Sequence, residues 1–165
     1  GLEIEVGNTP INGWAAYGSF GYTRSKIEDN LRVSATGTLP TAGKEMPLTP
    51  KLKAGLSLEY SQGTFFARVK AKATSKQAGT LVNDEWAPGY TTYGFDAGYT
   101  FDNVGIFKRP KLQFNISNIT NKQYINPSSQ SVTNTTTFPG VTTVGTLRYY
   151  LGAPRFASVT LSVDI

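Results

Sequence analysis

The sequence predicts an all-β fold, an antiparallel transmembrane β-barrel segment of about seven long strands. Three observations predict it. Seven segments alternate between apolar and polar side chains, and a period of two is the period of a β-strand. Most of these segments are about 9–11 residues long, the length that a tilted strand needs to cross a bilayer, whereas globular strands are usually nearer 5–6 residues. Short and long connections alternate, as the periplasmic turns and extracellular loops of outer-membrane barrels do.

The segments share one pattern of faces. In chain order they cover residues 2–6, 14–23, 51–60, 65–73, 90–101, 111–118 and 156–165. Their charged side chains fall on the polar face, which we expect to line a hydrated lumen: Lys51, Lys53, Glu59, Arg68, Lys70, Lys72, Asp96 and Lys111. Aromatic residues gather near segment ends, as in the girdles at membrane interfaces: Trp14, Tyr22, Tyr60, Phe65, Tyr90 and Phe101.

The segment FFARVKAKA, residues 65–73, shows why the two faces need different surroundings. One face carries only apolar residues: Phe65, Ala67, Val69, Ala71 and Ala73. The other carries Phe66 and three cations, Arg68, Lys70 and Lys72. A lysine that faces lipid near the bilayer midplane costs about 2–4 kcal/mol. We therefore expect the apolar face to contact lipid, and the cations to stay hydrated or to pair with acidic residues of the same face.

The connections differ in length and composition. The short ones are residues 7–13, 61–63 and 102–109, and the long polar ones are residues 24–49, 75–89 and 119–154. The longest is expected to form a hairpin-like excursion that is ordered near the barrel. Its tip, residues 128–137, is expected to be mobile because small polar residues offer no core.

The composition excludes several kinds of site. The chain contains no Cys and no His, so zinc-type sites and Cys or His nucleophiles are absent. We expect no catalytic residue, no metal site and no cofactor, and so no enzyme. The formal net charge is +5, but the cations alternate with apolar residues inside strands instead of forming a basic patch, so no nucleic-acid partner is expected.

The number of strands indicates a piece of a larger barrel. Single-chain bacterial barrels have an even number of strands, and an open sheet would leave unpaired edges in lipid. The chain begins in strand pattern with GLEIEV, without a signal peptide or an apolar run long enough for a membrane helix. We therefore expect it to continue from an upstream sequence.

Five motifs, in order, resemble the C-terminal part of TonB-dependent outer-membrane receptors. GLEIEV followed by NGWAAYGSFGYTRSK resembles the family's GxExE…GWxxxxSYxYTxA hairpin, and MPLTPKLKAGLSLEY resembles its PLxPxHxxxLxxxY strand. APGYTTYGFDAGYTF, LQFNISNITNKQY and YYLGAPRFASVTLSVDI resemble the three motifs that follow. Lys51 stands where His is frequent, residues 119–121 replace Leu-Phe-Asp, and Ile165 ends a chain that usually ends on an aromatic assembly signal.

The resemblance implies a fold and an activity. The family's barrel has about 22 strands and a plugged lumen, of which residues 1–165 resemble the last seven strands. The implied activity is energised uptake of a scarce nutrient, most commonly a ferric siderophore and sometimes haem, cobalamin or a carbohydrate, across the outer membrane of a Gram-negative bacterium. The implied partners are outer-membrane lipid and lipopolysaccharide, an N-terminal plug of the same protein, the TonB energy-transducing complex and the small-molecule ligand.

Candidate ligand contacts lie in the long loops. They are the aromatic and cationic residues Lys26, Arg32, Trp86, Tyr124, Arg148, Tyr149 and Tyr150, which suit an anionic ligand that carries rings. The alternative is that these aromatics are interface anchors and the cations face lipopolysaccharide. For the cations that are expected to line the lumen, the alternative interpretation is that they pair with carboxylates of the plug.

Three other functions remain as alternatives. A passive porin has the same strand pattern and differs in lacking an upstream plug. A barrel-type membrane hydrolase needs a constellation such as Ser–His, which a chain without His disfavours. A soluble β-sandwich that binds sugar gives the same alternation, but with shorter strands and more charge outside.

Overall fold

A computed structural model describes residues 1–127 and 132–164. This part of the chain forms thirteen strands, namely β1 Leu2–Gly7, β2 Trp14–Tyr22, β3 Leu31–Arg32, β4 Thr38–Leu39, β5 Leu52–Gln62, β6 Phe65–Thr74, β7 Gln77–Ala78, β8 Trp86–Ala87, β9 Tyr90–Thr100, β10 Lys108–Ser117, β11 Ile125–Pro127, β12 Tyr149–Leu151 and β13 Phe156–Asp164. Within these residues no helix is long and apolar enough to cross a membrane.

The seven long strands form one antiparallel sheet in the order β1-β2-β5-β6-β9-β10-β13. Each long strand therefore pairs with the next long strand of the chain, as in an up-and-down barrel wall. The predicted all-β, antiparallel segment of seven long strands is confirmed. The sheet does not close within the described residues, because β1 and β13 each have a neighbour on one side only.

In the described part of the chain, no second layer covers the apolar face of the sheet. Val69 is 49% exposed, Leu56 59% and Val159 67%. A soluble sandwich buries such residues between two sheets about 10 Å apart. The exposed apolar face thus argues against the sandwich and agrees with a surface that meets lipid.

Two connections differ from the predicted boundaries. β5 continues through Gln62 and pairs it with Phe65, which leaves only Gly63 and Thr64 in the turn. Gly63 adopts a φ of 59°, which suits the first position of a two-residue hairpin loop. β10 begins at Lys108, and its pairing with β13 is irregular between Lys108 and Lys111. Pro110 lies in this stretch, and a proline that lacks an N–H is tolerated at such a bulge.

The buried core lies in the long connections and not in the sheet. Each long connection folds back on itself as a short hairpin, formed by β3–β4, β7–β8 or β11–β12. Leu39, Val82 and Val141 come from three different connections and pack into one cluster, with Phe138 against it. We call the described parts of residues 23–51, 75–89 and 118–155 the loop cap.

The reason given for a mobile tip at residues 128–137, that small polar residues offer no core, does not hold for Val132 and Asn134. Val132 is 8% exposed, and the Asn134 side chain is fully buried. The Asn134 amide donates hydrogen bonds to the carbonyls of Thr136 at 2.7 Å and Thr143 at 3.1 Å. Small polar residues pack here because buried amides and hydroxyls find partners within the loop. Residues 128–131 lie outside the described part of the chain.

Candidate functional site

The polar face of the sheet carries a chain of paired charges. Arg68 Nε donates to Glu59 Oε2 at 2.6 Å, and Lys70 Nζ lies 2.6 Å from Asp96 Oδ2. The Asn115 amide donates to the other oxygen of Asp96. We call Glu59, Arg68, Lys70, Asp96 and Asn115 the polar wall.

The strand register explains the polar wall. Arg68 stands directly opposite Glu59 on one side and Asp96 on the other, and Asp96 stands opposite Asn115. Cross-strand neighbours of opposite charge attract each other, so this register is favoured over a slipped one. The Arg68 and Lys70 side chains remain 41% and 39% exposed, and exposed ion pairs contribute at most about 1 kcal/mol each. The polar wall therefore specifies register and hydration more than stability.

An aromatic ring lies on the polar face beside these charges. Phe66 covers Gly98, where an added Cβ would stand 2.3 Å from Phe66 Cε1. The ammonium of Lys111 lies 5.4 Å from the centre of the Phe66 ring, within cation–π range. Gly98 is therefore the residue that lets the ring lie flat against β9.

The residues predicted to line the lumen fall on the polar face of the sheet, except Lys51, which lies before β5. Lys53, Lys72 and Lys111 share the register positions of the polar wall. Lys51 lies one residue before β5 and forms an ion pair with Glu45 of the first long connection. Lys51 is thus paired within the loop cap, directly before β5 begins.

Asp84 joins the second and third long connections. Its Oδ1 accepts a hydrogen bond from the Thr80 hydroxyl at 2.7 Å. Its Oδ2 accepts bonds from the Thr135 N–H at 2.8 Å and from the Thr136 N–H and hydroxyl, both at 2.9 Å. Burial raises the pKa of Asp84, but these hydrogen bonds outweigh burial and hold the pKa below its ordinary value.

Asn83 joins the second connection to the first. Its side-chain oxygen accepts from the Glu45 N–H at 2.6 Å, and its amide donates to the Glu45 carbonyl at 2.8 Å. Asn83 has a φ of 58°, a left-handed conformation that asparagine tolerates better than most residues. The first and third connections also touch, since a Cβ on Gly37 would stand 2.1 Å from the Gly140 carbonyl oxygen. The three connections therefore form one packed unit.

Two of the predicted ligand contacts are Trp86 in β8 and Tyr149 in β12. The Tyr149 hydroxyl donates to Glu85 Oε1 at 2.5 Å. Burial, followed by the hydrogen bond and charge of Glu85, raises the pKa of Tyr149 to about 12. Trp86 donates its indole N–H to the Asn83 carbonyl at 2.9 Å, and the Lys76 ammonium lies 4.8 Å from its ring. Both aromatics therefore help to hold the loop cap.

The other predicted contacts are distributed over the loop cap. Tyr124 stacks on Tyr90 with ring centres 4.0 Å apart. The Arg32 guanidinium donates to the carbonyls of Ser34 and Ala35, both at 3.1 Å, within its own hairpin. Tyr150 is 65% exposed, and Lys26 and Arg148 are exposed as well. The structure thus separates the candidates into four whose side chains contact other residues, three of them within the loop cap and Tyr124 with Tyr90 of β9, and three that are exposed.

The sequence reasoning missed the residues that hold the loop cap together. Asn83, Asp84 and Asn134 lie in connections from which the sequence indicated only aromatic and cationic residues as candidates. The available signal was the apolar pair Leu81 and Val82 directly before Asn83 and Asp84, because apolar side chains within a polar loop can form a small hydrophobic cluster under it.

Comparison with known proteins agrees with the fold. The family model described as TonB dependent receptor-like, β-barrel matches residues 1–119. The structure resembles the siderophore receptor PiuA from Acinetobacter baumannii, with a TM-score of 0.70 and 21% identity over 98% of this chain and 20% of that one. It also resembles the ferric citrate transporter FecA in its unliganded form, with a TM-score of 0.66 and 20% identity over 89% of this chain and 20% of that one.

The matches cover most of this chain but only a small part of each known receptor. The chain spans about one fifth of the length of the two receptors. A comparison with the curated proteins finds no match. The structural likeness supports the architecture of the sheet, and the family match covers well over half of the chain. The chain belongs to the family of TonB-dependent receptor-like β-barrels.

Proposed function

We propose that this chain forms part of the wall and mouth of an outer-membrane transporter, which uses TonB to take up a scarce nutrient, namely a ferric siderophore. The observation that carries the proposal is the sheet with two unlike faces. One face is apolar and exposed, the other bears the polar wall, and the loop cap covers one end. Such a sheet suits a boundary between lipid and a wet lumen.

The two faces of β6 support the orientation of this wall. Val69 on the apolar face is 49% exposed, whereas Arg68 and Lys70 on the other face are paired with carboxylates. Placing the paired cations toward lipid near the midplane costs about 2–4 kcal/mol for each cation. The apolar face therefore contacts outer-membrane lipid and lipopolysaccharide, and the polar wall lines the lumen.

The partners follow from this placement. Residues 1–165 form the C-terminal part of a barrel whose earlier strands and plug come from the same full-length protein. Lys53, Lys72 and Lys111 extend the polar wall and offer cations to carboxylates of the plug. The plug in turn engages the TonB complex, and the chain itself carries out no bond chemistry.

The loop cap is the proposed ligand mouth. Lys26, Arg148 and Tyr150 are exposed, and cations and an aromatic ring suit an anionic ligand. The two similar structures are named as a ferric citrate transporter and a siderophore receptor, which favours an iron complex over haem, cobalamin or a carbohydrate.

Uptake of radioactive iron tests the proposal. The full-length parent protein is expressed in a Gram-negative host that lacks its own siderophore receptors, with and without TonB. We expect uptake of a ferric siderophore only in the host that has TonB. Equal uptake in both hosts would show a passive porin, and uptake of another nutrient class alone would replace the siderophore as the ligand.

A further inference from the structure

We propose that the apolar face carries a binding site for one phosphorylated lipid of the outer leaflet, the lipid A part of lipopolysaccharide. The site is a groove of about 680 Å³ at the end of the sheet next to the loop cap. We call it the outer groove and define it by Phe20, Ala54, Ala73, Tyr93, Thr120 and Lys122. The inference rests on the proposed function, which places this end of the sheet in the outer leaflet.

The strand register builds the floor and walls of the outer groove. Phe20 pairs with Ala54, and Ala54 pairs with Ala73, so these three side chains form one row across β2, β5 and β6. Tyr93 lies on the neighbouring strand β9, opposite Ala71. Two alanines therefore form a low floor between the aromatic rings of Phe20 and Tyr93.

The dimensions suit hydrocarbon chains. Neighbouring strands lie about 4.8 Å apart, so the strands of Phe20 and Tyr93, three intervals apart, are separated by roughly 14 Å across the sheet. Phe20 and Tyr93 are 41% and 47% exposed. An acyl chain packed over the alanines can make van der Waals contact with both rings. A chain lying in such a trough has contact atoms on both sides, which a wall of uniformly large side chains does not offer.

A cation stands at the rim where the headgroup of such a lipid lies. Lys122 follows β10 in a turn that the buried side chain of Asn118 holds rigidly. The Asn118 side-chain oxygen accepts from the Lys122 N–H at 2.9 Å, and its amide donates to the carbonyls of Lys122 and Ala153, both at 2.9 Å. Asn118 is 6% exposed, so this turn is a fixed part of the rim.

The charge of Lys122 matches a phosphate. Within residues 1–127 and 132–164, no ion pair or hydrogen bond engages its ammonium, while Lys51 and Lys70 both have acidic partners. Thr120 adds a hydroxyl to the same rim. A lysine ammonium and a hydroxyl above an apolar trough match the phosphate and acyl chains of lipid A, because each part of the lipid meets a surface of its own kind.

Native mass spectrometry of the detergent-purified full-length parent protein, with added lipid A, tests the site. Lys122→Ala removes the rim cation, and Ala73→Phe fills the floor. The matched controls are Lys44→Ala in the loop cap and Ala67→Phe, which lies on the same face of β6 outside the outer groove. We expect Lys122→Ala to lower the retained lipid A by about fivefold, the effect of one cation near an anionic headgroup. Ala73→Phe is expected to lower it by a similar factor.

The outcomes separate this inference from the proposed function. Equal retention by all variants, or an equal fall with the Ala67→Phe control, overturns the site. Equal retention of dephosphorylated lipid A, or of phosphatidylglycerol, overturns the assignment to lipid A phosphate. Lys122→Ala leaves every strand intact, so its result stands even if Ala73→Phe fails to assemble. If the unchanged full-length parent retains lipid A but shows no TonB-dependent uptake, only the transport proposal is overturned.

Discussion

The carboxylate of Asp84 accepts two hydrogen bonds from Thr136, one from its N–H and one from its hydroxyl, both at 2.9 Å. The two residues are 52 positions apart and belong to different connections. Between them in the chain lie two of the long strands, β9 and β10. The sheet places the second and third long connections at the same end, and this contact holds them together.

Replacing this carboxylate is expected to loosen the loop cap without changing the barrel wall. Asp84→Asn removes the charge and puts an amide donor where an oxygen accepts bonds from Thr135 and Thr136. Hydrogen bonds to charged groups are stronger than neutral ones, so we expect a loss of about 1–3 kcal/mol in local stability. Proteolysis of intact cells by an external protease measures this as faster cleavage of the loop cap.

Asp29→Asn is the matched control, since no hydrogen bond to the Asp29 carboxylate is seen in the described part of the chain. Its protease sensitivity should equal that of the unchanged protein. If Asp84→Asn is also cleaved no faster, Asp84 does not hold the loop cap.

Acid should loosen the loop cap through the same group. The hydrogen bonds that Asp84 accepts outweigh its burial and lower its pKa from 3.8. Because the folded pKa is lowered, the stabilisation is fully present above about pH 4 and is lost as the pH falls through the folded value. Thermal unfolding of the full-length parent should show this loss below about pH 4, and it should be smaller in Asp84→Asn. An equal loss in both proteins would assign the transition to other carboxylates.

Chemical labelling tests which face of β6 meets lipid. The chain contains no Cys, so single substitutions in it add a unique thiol to this segment. Val69→Cys should react with a lipid-soluble maleimide and resist a water-soluble one, and Lys70→Cys should do the reverse, because neighbouring side chains point to opposite faces. Equal labelling of both thiols by the polar reagent would contradict the membrane orientation.

The close approach of Phe66 to Gly98 predicts a sensitive position on the polar face. In Gly98→Ala the new methyl group would lie 2.3 Å from Phe66 Cε1, so the ring must leave its place on β9. Overpacking of this kind costs typically about 1–3 kcal/mol. Thermal loss of the heat-modifiable gel form of the full-length parent should therefore occur at a lower temperature.

Gly94→Ala is the control for that change, because its Cβ would meet its nearest atoms at 3.4 Å, an ordinary contact distance. The double variant Phe66→Ala with Gly98→Ala should recover part of the loss, since the ring is then absent. A Gly98→Ala protein as stable as the Gly94→Ala protein would mean that Phe66 moves without cost.

The sequence by itself determined the sheet. The alternation in residues 65–73 specified which side chains share a face, and a slip by one residue would have turned Arg68, Lys70 and Lys72 toward the apolar side. This information is local, because in a strand the face of each side chain follows from its position along the chain. The lumenal candidates, including Asp96, were therefore placed on one face from their spacing alone.

Only the tertiary structure decided the loop cap. Leu39, Val82 and Val141 meet because the sheet brings the ends of three connections together. Trp86, Tyr149 and Arg32 looked like ligand contacts in the sequence, yet each makes bonds within the loop cap. A loop has no fixed period, so spacing along the chain does not tell which of its polar groups find partners. Those partners depend on the three-dimensional position of residues far apart in sequence, as the 52 positions between Asp84 and Thr136 illustrate.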